Sequence, residues 1–384
     1  MNTRRSKPRV LIFSLRNIFS KALFRCPHFE FEDIICEIDS ADLLAPEVDP
    51  SKTRSKIATK LAYHAPVTLN PGIKKQLARS SYDLFFTICG FPQDLLMANA
   101  VGNLMSLCRT SVCLLDELWL SELVKHRHFL RLLAKFDVVI LYYSQTVRTL
   151  GGQIGRRCVF LPPGVDTILF CPYPLLPKRV IDVYSIGRRS ELTHQSLLKM
   201  VRETGLFYLH DSIGGNQAIN SKEHRALFSN IAKRSRYFIV NPGAIDQPKK
   251  RGNQFETGNR YFEGAASGTI MVGERPKNEE FERLFDWPEA VTHLPYDSTE
   301  IDMIIKGLDE DPARQDRIRR TNVVQALARH DWVYRWEAIL KTVGLEPMQG
   351  VLERKERLRK LVEVVSRDDE LGADQSPENL VFSE

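Results

Sequence analysis

A short stretch from Thr257 to Gly268 combines a helix start with an acidic side chain about one to two turns further in. Thr257 is a good N-cap residue and Gly268 a good helix stop, so the pattern predicts a helix between them. Unpaired backbone N–H groups at a helix start bind phosphate, and the carboxylate of Glu263 can accept two ribose hydroxyl groups. The stretch therefore predicts a nucleotide site, with an ordinary capped surface helix as the alternative.

Three segments resemble, in order and spacing, the glycosyltransferases with the GT-B fold. Leu161–Asp166 followed by Phe170 is similar to their interdomain segment, and Asp182–Ser190 to the first strand and loop of their C-terminal domain. Arg260–Gly268 is similar to their donor-binding helix, especially in the "glycosyl transferases group 1" and spore-maturation-protein-like branches. The resemblance spans about Val159 to Leu340. It implies two Rossmann-like α/β domains that face each other across a cleft.

The resemblance implies transfer of a sugar from a nucleoside-diphosphate sugar to a hydroxyl acceptor, with retention at the anomeric carbon and without a metal ion. Departure of the diphosphate requires cations and N–H dipoles, and Arg188 follows a buried strand at the edge where ligands bind. The family has a lysine six residues after this arginine, whereas here the residue is His194. Other basic groups that could supply the charge are Arg189, Lys249, Lys250 and Arg251. The predicted donor-binding residues are Gly187, Arg188, Arg189, His194, Asn241, Thr257, Gly258, Asn259, Arg260 and Glu263.

The family also has two glutamates separated by seven residues, and only one of them is in register here. Glu263 matches the second glutamate, but Phe255 occupies the first position. Glu256 lies one residue away and is the candidate for contact with the transferred sugar.

Acceptor chemistry is predicted at the end of the fourth strand, where Asp116 and Glu117 could orient or deprotonate a hydroxyl group. A polar strand end that caps the next helix is the alternative. His64 and His210 are further cleft candidates. His126 and His128 are two residues apart and would diverge on a helix, so no metal site is predicted.

Composition agrees with a two-domain globular enzyme. The chain has 384 residues, 43% hydrophobic and 27% charged, and a net charge of +6, which is too small to argue for nucleic-acid binding. An odd count of seven cysteines without a C-x-x-C pair indicates free thiols in a reducing compartment. No apolar run approaches ~18 residues, so we expect a cytoplasmic protein.

The expected domains are an acceptor domain at 1–160, a linker at 161–178, a donor domain at 179–320, a helix at 321–345 that crosses back, and a charged end at 346–384. Alternating apolar and amphipathic stretches support this α/β organisation. The predicted strands of the first half are Arg9–Leu15, Asp33–Ile38, Tyr82–Ile88, Ser111–Leu115 and Asp137–Tyr142. Those of the second half are Ile181–Ile186, Leu206–Leu209, Tyr237–Val240 and Thr269–Val272.

The helices predicted between these strands are Met97–Leu107, Leu120–Lys135, Glu191–Thr204, His224–Lys233 and Thr299–Asp309. Residues 40–80 are expected to be mainly loops, with a helix near Ile73–Ala78. Pro312–Leu340 should form a helix pair, and a charged helix should run from Leu352 to about Ser366. We expect the acidic end, Asp368–Glu384, to be disordered.

Three functions remain open from the residues. The first is a hexosyltransferase-type glycosyltransferase with a carbohydrate, lipid-linked or small-molecule acceptor and no nucleic-acid partner. The second is a nucleotide-sugar epimerase or hydrolase of the same fold, and the third is a non-catalytic nucleotide-sugar-binding module. Lys125–His128, Arg131 and Lys135 could also bring the protein to the inner face of an anionic membrane, although a solvated helix face is the alternative.

Overall fold

The computed structural model describes residues 8–47, 52–74, 81–210 and 220–373. Two parallel sheets organise them. The first sheet has the order β2-β1-β3-β4-β5-β6. Its strands are β1 (Val10–Phe13), β2 (Ala41–Leu44), β3 (Tyr82–Cys89), β4 (Cys108–Leu115), β5 (Val138–Leu141) and β6 (Arg157–Phe160).

The second sheet has the order β11-β10-β9-β7-β8. Its strands are β7 (Ile181–Ser185), β8 (Tyr208–His210), β9 (Ser235–Val240), β10 (Ile270–Gly273) and β11 (Thr292–His293). In each sheet the first strand lies between the second and the third strand of that sheet. The connections on the two sides of that first strand therefore run to opposite edges of the sheet. Where they diverge, the carboxyl ends of the strands leave a crevice that can hold a ligand.

Helices cover both faces of each sheet. The helices of the first half are α1 (Cys26–Ile38), α2 (Lys52–His64), α3 (Leu95–Asn99), α4 (Gly102–Met105), α5 (Arg127–Leu133), α6 (Ser144–Ile154) and α7 (Thr167–Phe170). Those of the second half are α8 (Glu191–Thr204), α9 (Ser221–Lys233), α10 (Pro248–Arg251), α11 (Asn259–Ala266), α12 (Glu279–Leu284), α13 (Ile301–Asp309), α14 (Pro312–Arg329), α15 (Trp332–Val343) and α16 (Gln349–Ala373). Three 3₁₀ turns lie at Leu23–Arg25, Pro92–Asp94 and Leu120–Glu122.

The last two helices pack against the first domain. Trp332 stacks on Phe31 of α1, with ring centroids 4.6 Å apart, and the indole of Trp336 donates to Asp39 at 2.8 Å. Both indoles are fully buried. Burial of two such large side chains removes several hundred square ångströms of mostly apolar surface from water, which ties the C-terminal helices to α1.

A buried ion cluster fixes the segment that joins the two sheets. Arg354 of α16 donates to Asp331 at 2.8 Å and to Asp166 at 2.7 Å. Val165 pairs with Asp331 through a backbone bridge. Because one guanidinium holds both carboxylates, the linker and the start of α15 are held together.

Most strands and long helices of the second half agree with the sequence prediction, and α8 agrees at both ends. The prediction of a strand at Asp33–Ile38 was wrong, because these residues are the second half of α1. Their buried isoleucines, Ile34, Ile35 and Ile38, have the i, i+1, i+4 spacing of one helix face rather than the alternation of a strand. The second strand is instead β2, in a segment that we expected to be loop.

Other differences are local. α2 was not predicted, nor were the short strands β6 and β11. The predicted helix Leu120–Lys135 is divided into a 3₁₀ turn and α5, and Met97–Leu107 into parts of α3 and α4. The helix predicted near Ile73–Ala78 falls largely outside the described residues. α16 continues to Ala373, so 368–373 are helical, while 374–384 lie outside the described residues. In the described ranges no helix is long and apolar enough to cross a membrane.

Candidate functional site

The helix α11 begins at the carboxyl edge of the second sheet, as the sequence predicts. Its N-cap is Gly258, with extended backbone, and no side chain caps the helix start. The prediction of Thr257 as the N-cap was therefore wrong by one residue. The N-cap residue therefore satisfies none of the first N–H groups of the helix, which begin with that of Asn259, and phosphate-binding helices use this arrangement. Gly268 ends the helix region with a positive φ of 62°.

Glu263 lies one turn into α11 and is fully buried. One carboxylate oxygen accepts from Arg225 of α9 and the other from Arg260. Burial alone would raise the pKa of this carboxyl, but the charges of Arg260 and Arg225 outweigh burial and hold the pKa below its usual range. Glu263 is therefore ionised at neutral pH. A ribose that bonds to Glu263 would have to share the two carboxylate oxygens with Arg225 and Arg260.

Arg225 extends this contact to the other domain. Its Nε donates to Glu30 of α1 at 2.6 Å, and Glu30 also accepts from the indole of Trp332 at 2.8 Å. The chain Glu30–Arg225–Glu263–Arg260 thus joins α1, α9 and α11 in the interior; below it is called the interdomain ion chain. Sequence analysis did not find Arg225 or Glu30. A sequence signal did exist, because Arg225 stands beside His224 and three residues before Phe228 on the apolar face of α9.

Glu256, in the loop before α11, points toward the first domain, where its carboxyl group contacts the first residues of α6. Its carboxyl group accepts backbone N–H groups of Ser144 and Gln145 and the side-chain amide of Gln254 at 2.6 Å. Gln254 also donates to Thr146 at 3.0 Å. Burial raises the pKa of Glu256 to about 7, although the amide and N–H donors oppose that rise. This carboxyl group caps a helix of the opposite domain.

Arg188 follows β7 and lies on the exposed side of the cleft. Gly187, with a positive φ of 87°, turns the chain, and Arg188 pairs with Asp246 at 2.6 Å. Of the other predicted cations, Lys250 pairs with Glu117 across the domain boundary. The guanidinium of Arg251 lies over the ring of Phe255, 4.0 Å from its centroid, and Lys249 is exposed on α10.

A small pocket at the same sheet edge contains three more of the predicted donor residues, Arg189, His194 and Asn241. His194 is nearly buried and its Nδ1 lies 3.1 Å from the hydroxyl of Tyr208. Asn241 follows β9 and lies beside Gly258, so a strand end and the start of α11 meet here. His210 packs against His194, with ring centroids 4.9 Å apart. His64, by contrast, lies in a different groove between α2 and α5.

Asp116 follows β4 on the first-domain side of the cleft. Its carboxylate lies 2.8 Å from Nε2 of His28, which is buried in the first turn of α1, while about a quarter of the Asp116 side chain stays exposed. Glu117 is more constrained, because it accepts from the Trp119 indole at 2.9 Å and from Lys250. His28 was missed by sequence analysis, since the helix containing it was not predicted.

Tyr143 lies where these groups from both domains come together. Burial raises the pKa of its phenol well above the usual value, the charges of Glu117, Asp116 and Glu256 raise it further, and Arg188 opposes them. Its hydroxyl also lies against Gly243 of the second domain. The charges of the predicted acids and of the predicted arginine therefore all act on this phenol, although these residues are far apart in sequence.

Several solved structures resemble this chain at low identity. An alpha-glucosyltransferase in complex with UDP-glucose and DNA containing an abasic site has a TM-score of 0.52 and is 14% identical, covering 88% of this chain and 99% of its own. An alpha,alpha-trehalose-phosphate synthase (UDP-forming) from Burkholderia vietnamiensis has a TM-score of 0.50 and 10% identity, over 88% and 98%. The Candida albicans trehalose-6-phosphate phosphatase N-terminal domain has a TM-score of 0.50 and 7% identity, over 90% and 99%.

Two parallel α/β sheets that face each other across a cleft, together with these structural neighbours, define the GT-B fold of glycosyltransferases. Within that class, residues 189–341 match the family described as glycosyl transferase-like. No curated protein matches the chain. The spore-maturation-protein-like branch stays a prediction. Among the described residues, no group of three or more histidine, cysteine or acidic side chains could hold a metal ion.

Proposed function

We propose that the protein is a glycosyltransferase that moves a sugar from a nucleoside-diphosphate sugar to a hydroxyl acceptor. The observation that carries this proposal is the GT-B fold, in which an acid, Asp116, follows β4 of one sheet and a cation, Arg188, follows β7 of the other, and both charges act on the phenol of Tyr143. The two groups serve opposite ends of one reaction. A base removes the proton of the acceptor hydroxyl, while a cation stabilises the negative charge on the departing diphosphate.

On the donor side, the N-terminus of α11 and Arg188 bind the diphosphate. The uncapped N–H groups and the helix dipole attract the phosphates, and Asn241 stands at the adjacent strand end. Glu263, kept ionised by its arginines, is the acceptor for the ribose hydroxyls. Neutralisation of the leaving group by these dipoles and side chains makes the reaction independent of a divalent cation.

On the acceptor side, Asp116 is the base. Glu117 is less suited, because its carboxylate already accepts from Trp119 and pairs with Lys250. His28, whose Nε2 lies 2.8 Å from the carboxylate, holds Asp116 in place. Retention at the anomeric carbon is part of the proposal and follows the resemblance alone.

The test is turnover with UDP-, GDP- and dTDP-sugars against a library of hydroxyl acceptors, with and without EDTA. UDP-sugars come first, because one of the structural neighbours, an alpha-glucosyltransferase, was solved in complex with UDP-glucose. We expect acceptor-dependent release of nucleoside diphosphate that survives EDTA. Arg188→Ala should lower kcat/KM by about 30- to 1,000-fold, and Asp116→Asn should lower kcat by about 10²-fold or more.

Different outcomes identify the other candidate functions. Release of nucleoside diphosphate without any acceptor indicates a hydrolase, and conversion of the sugar without release indicates an epimerase. Tight nucleotide binding without turnover against any acceptor favours a binding module. A requirement for magnesium or manganese would show that the proposed electrostatics are wrong.

A further inference from the structure

A second basic site lies on the first domain, in a groove between α2 and α5. The groove has a volume of about 680 Å³. Of the described side chains that line it, four carry a positive charge, a fifth is His64, and none is acidic; the four cations are Lys56, Lys60, Lys125 and Arg127. Ser55, Thr59 and Tyr63 add hydroxyl groups. We call this set the α2 groove; the proposed reaction does not use it.

The sequence around the α2 groove concentrates positive charge. Residues 51–82 contain no aspartate or glutamate, although the chain as a whole is nearly balanced. One of the cations that line the groove, Lys125, pairs with Glu122 at 3.0 Å, and Glu122 also lies 3.9 Å from Lys250. One acid cannot neutralise the groove, so the surface retains a positive potential that attracts anions.

Exposed apolar side chains accompany these charges. On α2, Ala58 and Ala62 are buried, while Ile57 and Leu61 one position earlier are 51% and 40% exposed. Val124, next to Lys125, is 73% exposed. Ile57 and Leu61 are four residues apart and thus adjacent on one helix face, as are Lys56 and Lys60. α2 therefore presents neighbouring rows of cations and apolar groups to solvent.

We propose that this face docks on the surface of a membrane that contains anionic lipids. Phosphate headgroups would occupy the α2 groove, and Ile57, Leu61 and Val124 would enter the boundary between headgroups and acyl chains. Attraction of lysines by anionic headgroups and burial of apolar side chains are the two contributions that hold amphipathic helices at an interface. A soluble polyanion such as nucleic acid would explain the lysines but would leave the apolar row without a partner.

The membrane contact proposed here lies on α2 and the edge of the groove, whereas the sequence prediction placed it on the segment of α5 alone. On α5, Phe129, Leu130, Leu132 and Leu133 are buried in the domain core, so that helix cannot supply an apolar face to lipid. Its contribution is limited to Arg127 and the preceding Lys125. The lipid-facing apolar groups come from α2 and Val124.

The test uses the full chain with vesicles of phosphatidylglycerol and phosphatidylcholine in equal parts, and with phosphatidylcholine alone. We expect co-sedimentation with the mixed vesicles that weakens as salt increases. Lys56→Glu/Lys60→Glu should lower the partition coefficient about ten-fold or more. Ile57→Ser/Leu61→Ser should lower binding at high salt, where screening leaves mainly the apolar contribution.

The matched control is Lys199→Glu/Lys306→Glu, which makes the same change in charge on exposed positions of the second domain. This variant should bind as the unmodified chain does, and thermal unfolding should confirm that all variants fold. Three outcomes would overturn the proposal: equal binding to both vesicle types, binding of inorganic phosphate or single-stranded DNA in the groove without vesicle binding, or equal losses in the control.

Discussion

Glu256 and Glu263 lie on either side of the start of α11, and both are buried acids that the sequence assigns to one sugar-nucleotide site. Their surroundings differ. Glu263 touches two arginines, whose charges lower its pKa. The donors to Glu256 in the described part of the chain are neutral, so burial raises its pKa to about 7. Equal burial thus gives opposite protonation behaviour, because the charge of the partner decides which form is favoured.

This difference in pKa gives the Glu263 region and the Glu256 region different roles. The Glu263 region belongs to the interdomain ion chain, where two arginines favour the charged carboxylate. The Glu256 region caps α6 across the cleft and changes its charge near neutral pH. On one side of the cleft, the contact of Glu263 with its arginines does not depend on pH near neutrality. On the other side, the contact of Glu256 with α6 does depend on it.

Removal of Arg225 gives the largest expected effect and tests the first half of this comparison. Arg225→Ala leaves Glu30 and Glu263 buried without their shared cation. Breaking a buried ion pair by deleting one partner costs about 3–5 kcal/mol, and we expect a loss of that size in the free energy of unfolding by urea. Arg225→Lys keeps the charge but lacks the planar fork that reaches both carboxylates, so its loss should be intermediate.

The matched control is Arg359→Ala on the exposed surface of α16, where an arginine also bonds two carboxylates, Glu356 and Glu363. Exposed ion pairs contribute little, so its free energy of unfolding should change by less than about 1 kcal/mol. If Arg225→Ala and Arg359→Ala behave alike, the interdomain ion chain is not a major contributor to stability.

Glu263→Gln separates the donor role of that side chain from its structural role. The variant keeps the shape but gives up the charge that both arginines bind, so we expect a loss of about 1.5–3 kcal/mol in unfolding free energy. If Glu263 also binds the ribose, affinity for the nucleoside diphosphate should fall about ten-fold or more, as measured by calorimetry below the unfolding transition. Reduced stability with unchanged nucleotide affinity would confine Glu263 to the ion chain.

The sequence predicts those parts of the fold and of the site that leave a pattern within a short segment of the chain. The start of α11, Gly268 and β10 could be predicted, because a loop, a helix and a buried strand each leave a local signature. The rest of the interdomain ion chain could not be predicted, because Arg225 and Glu30 lie 38 and 233 residues from Glu263 in the chain and come together only through domain packing. Isoleucine-rich α1 was mistaken for a strand, which also concealed His28.

Glu256→Gln tests the second half of the comparison through pH. The folded-state pKa of Glu256, about 7, exceeds the ordinary value of 4.5, so the carboxyl group favours folding at low pH. That contribution is lost as the pH rises through about 7, with a limit of about 3 kcal/mol. The stability of the unmodified chain relative to the glutamine variant should therefore fall between pH 5 and pH 8. A difference that is constant over this range would show that Glu256 does not titrate there.

The smallest predicted effect concerns the residue that marks the start of α11. An N-cap threonine contributes about 1 kcal/mol through its hydroxyl, but the N-cap here is Gly258 and no side chain caps the helix. Thr257→Ala should therefore change the free energy of unfolding by less than about 0.5 kcal/mol. Asn220→Ala is the matched control, because the Asn220 side chain accepts from the N–H of Glu223 at 3.0 Å at the start of α9, and its loss should cost about 1 kcal/mol. A cost at Thr257 as large as that at Asn220 would restore Thr257 as the cap. The first N–H groups of α11 would then already be satisfied, and the argument for a phosphate at that helix start would be lost.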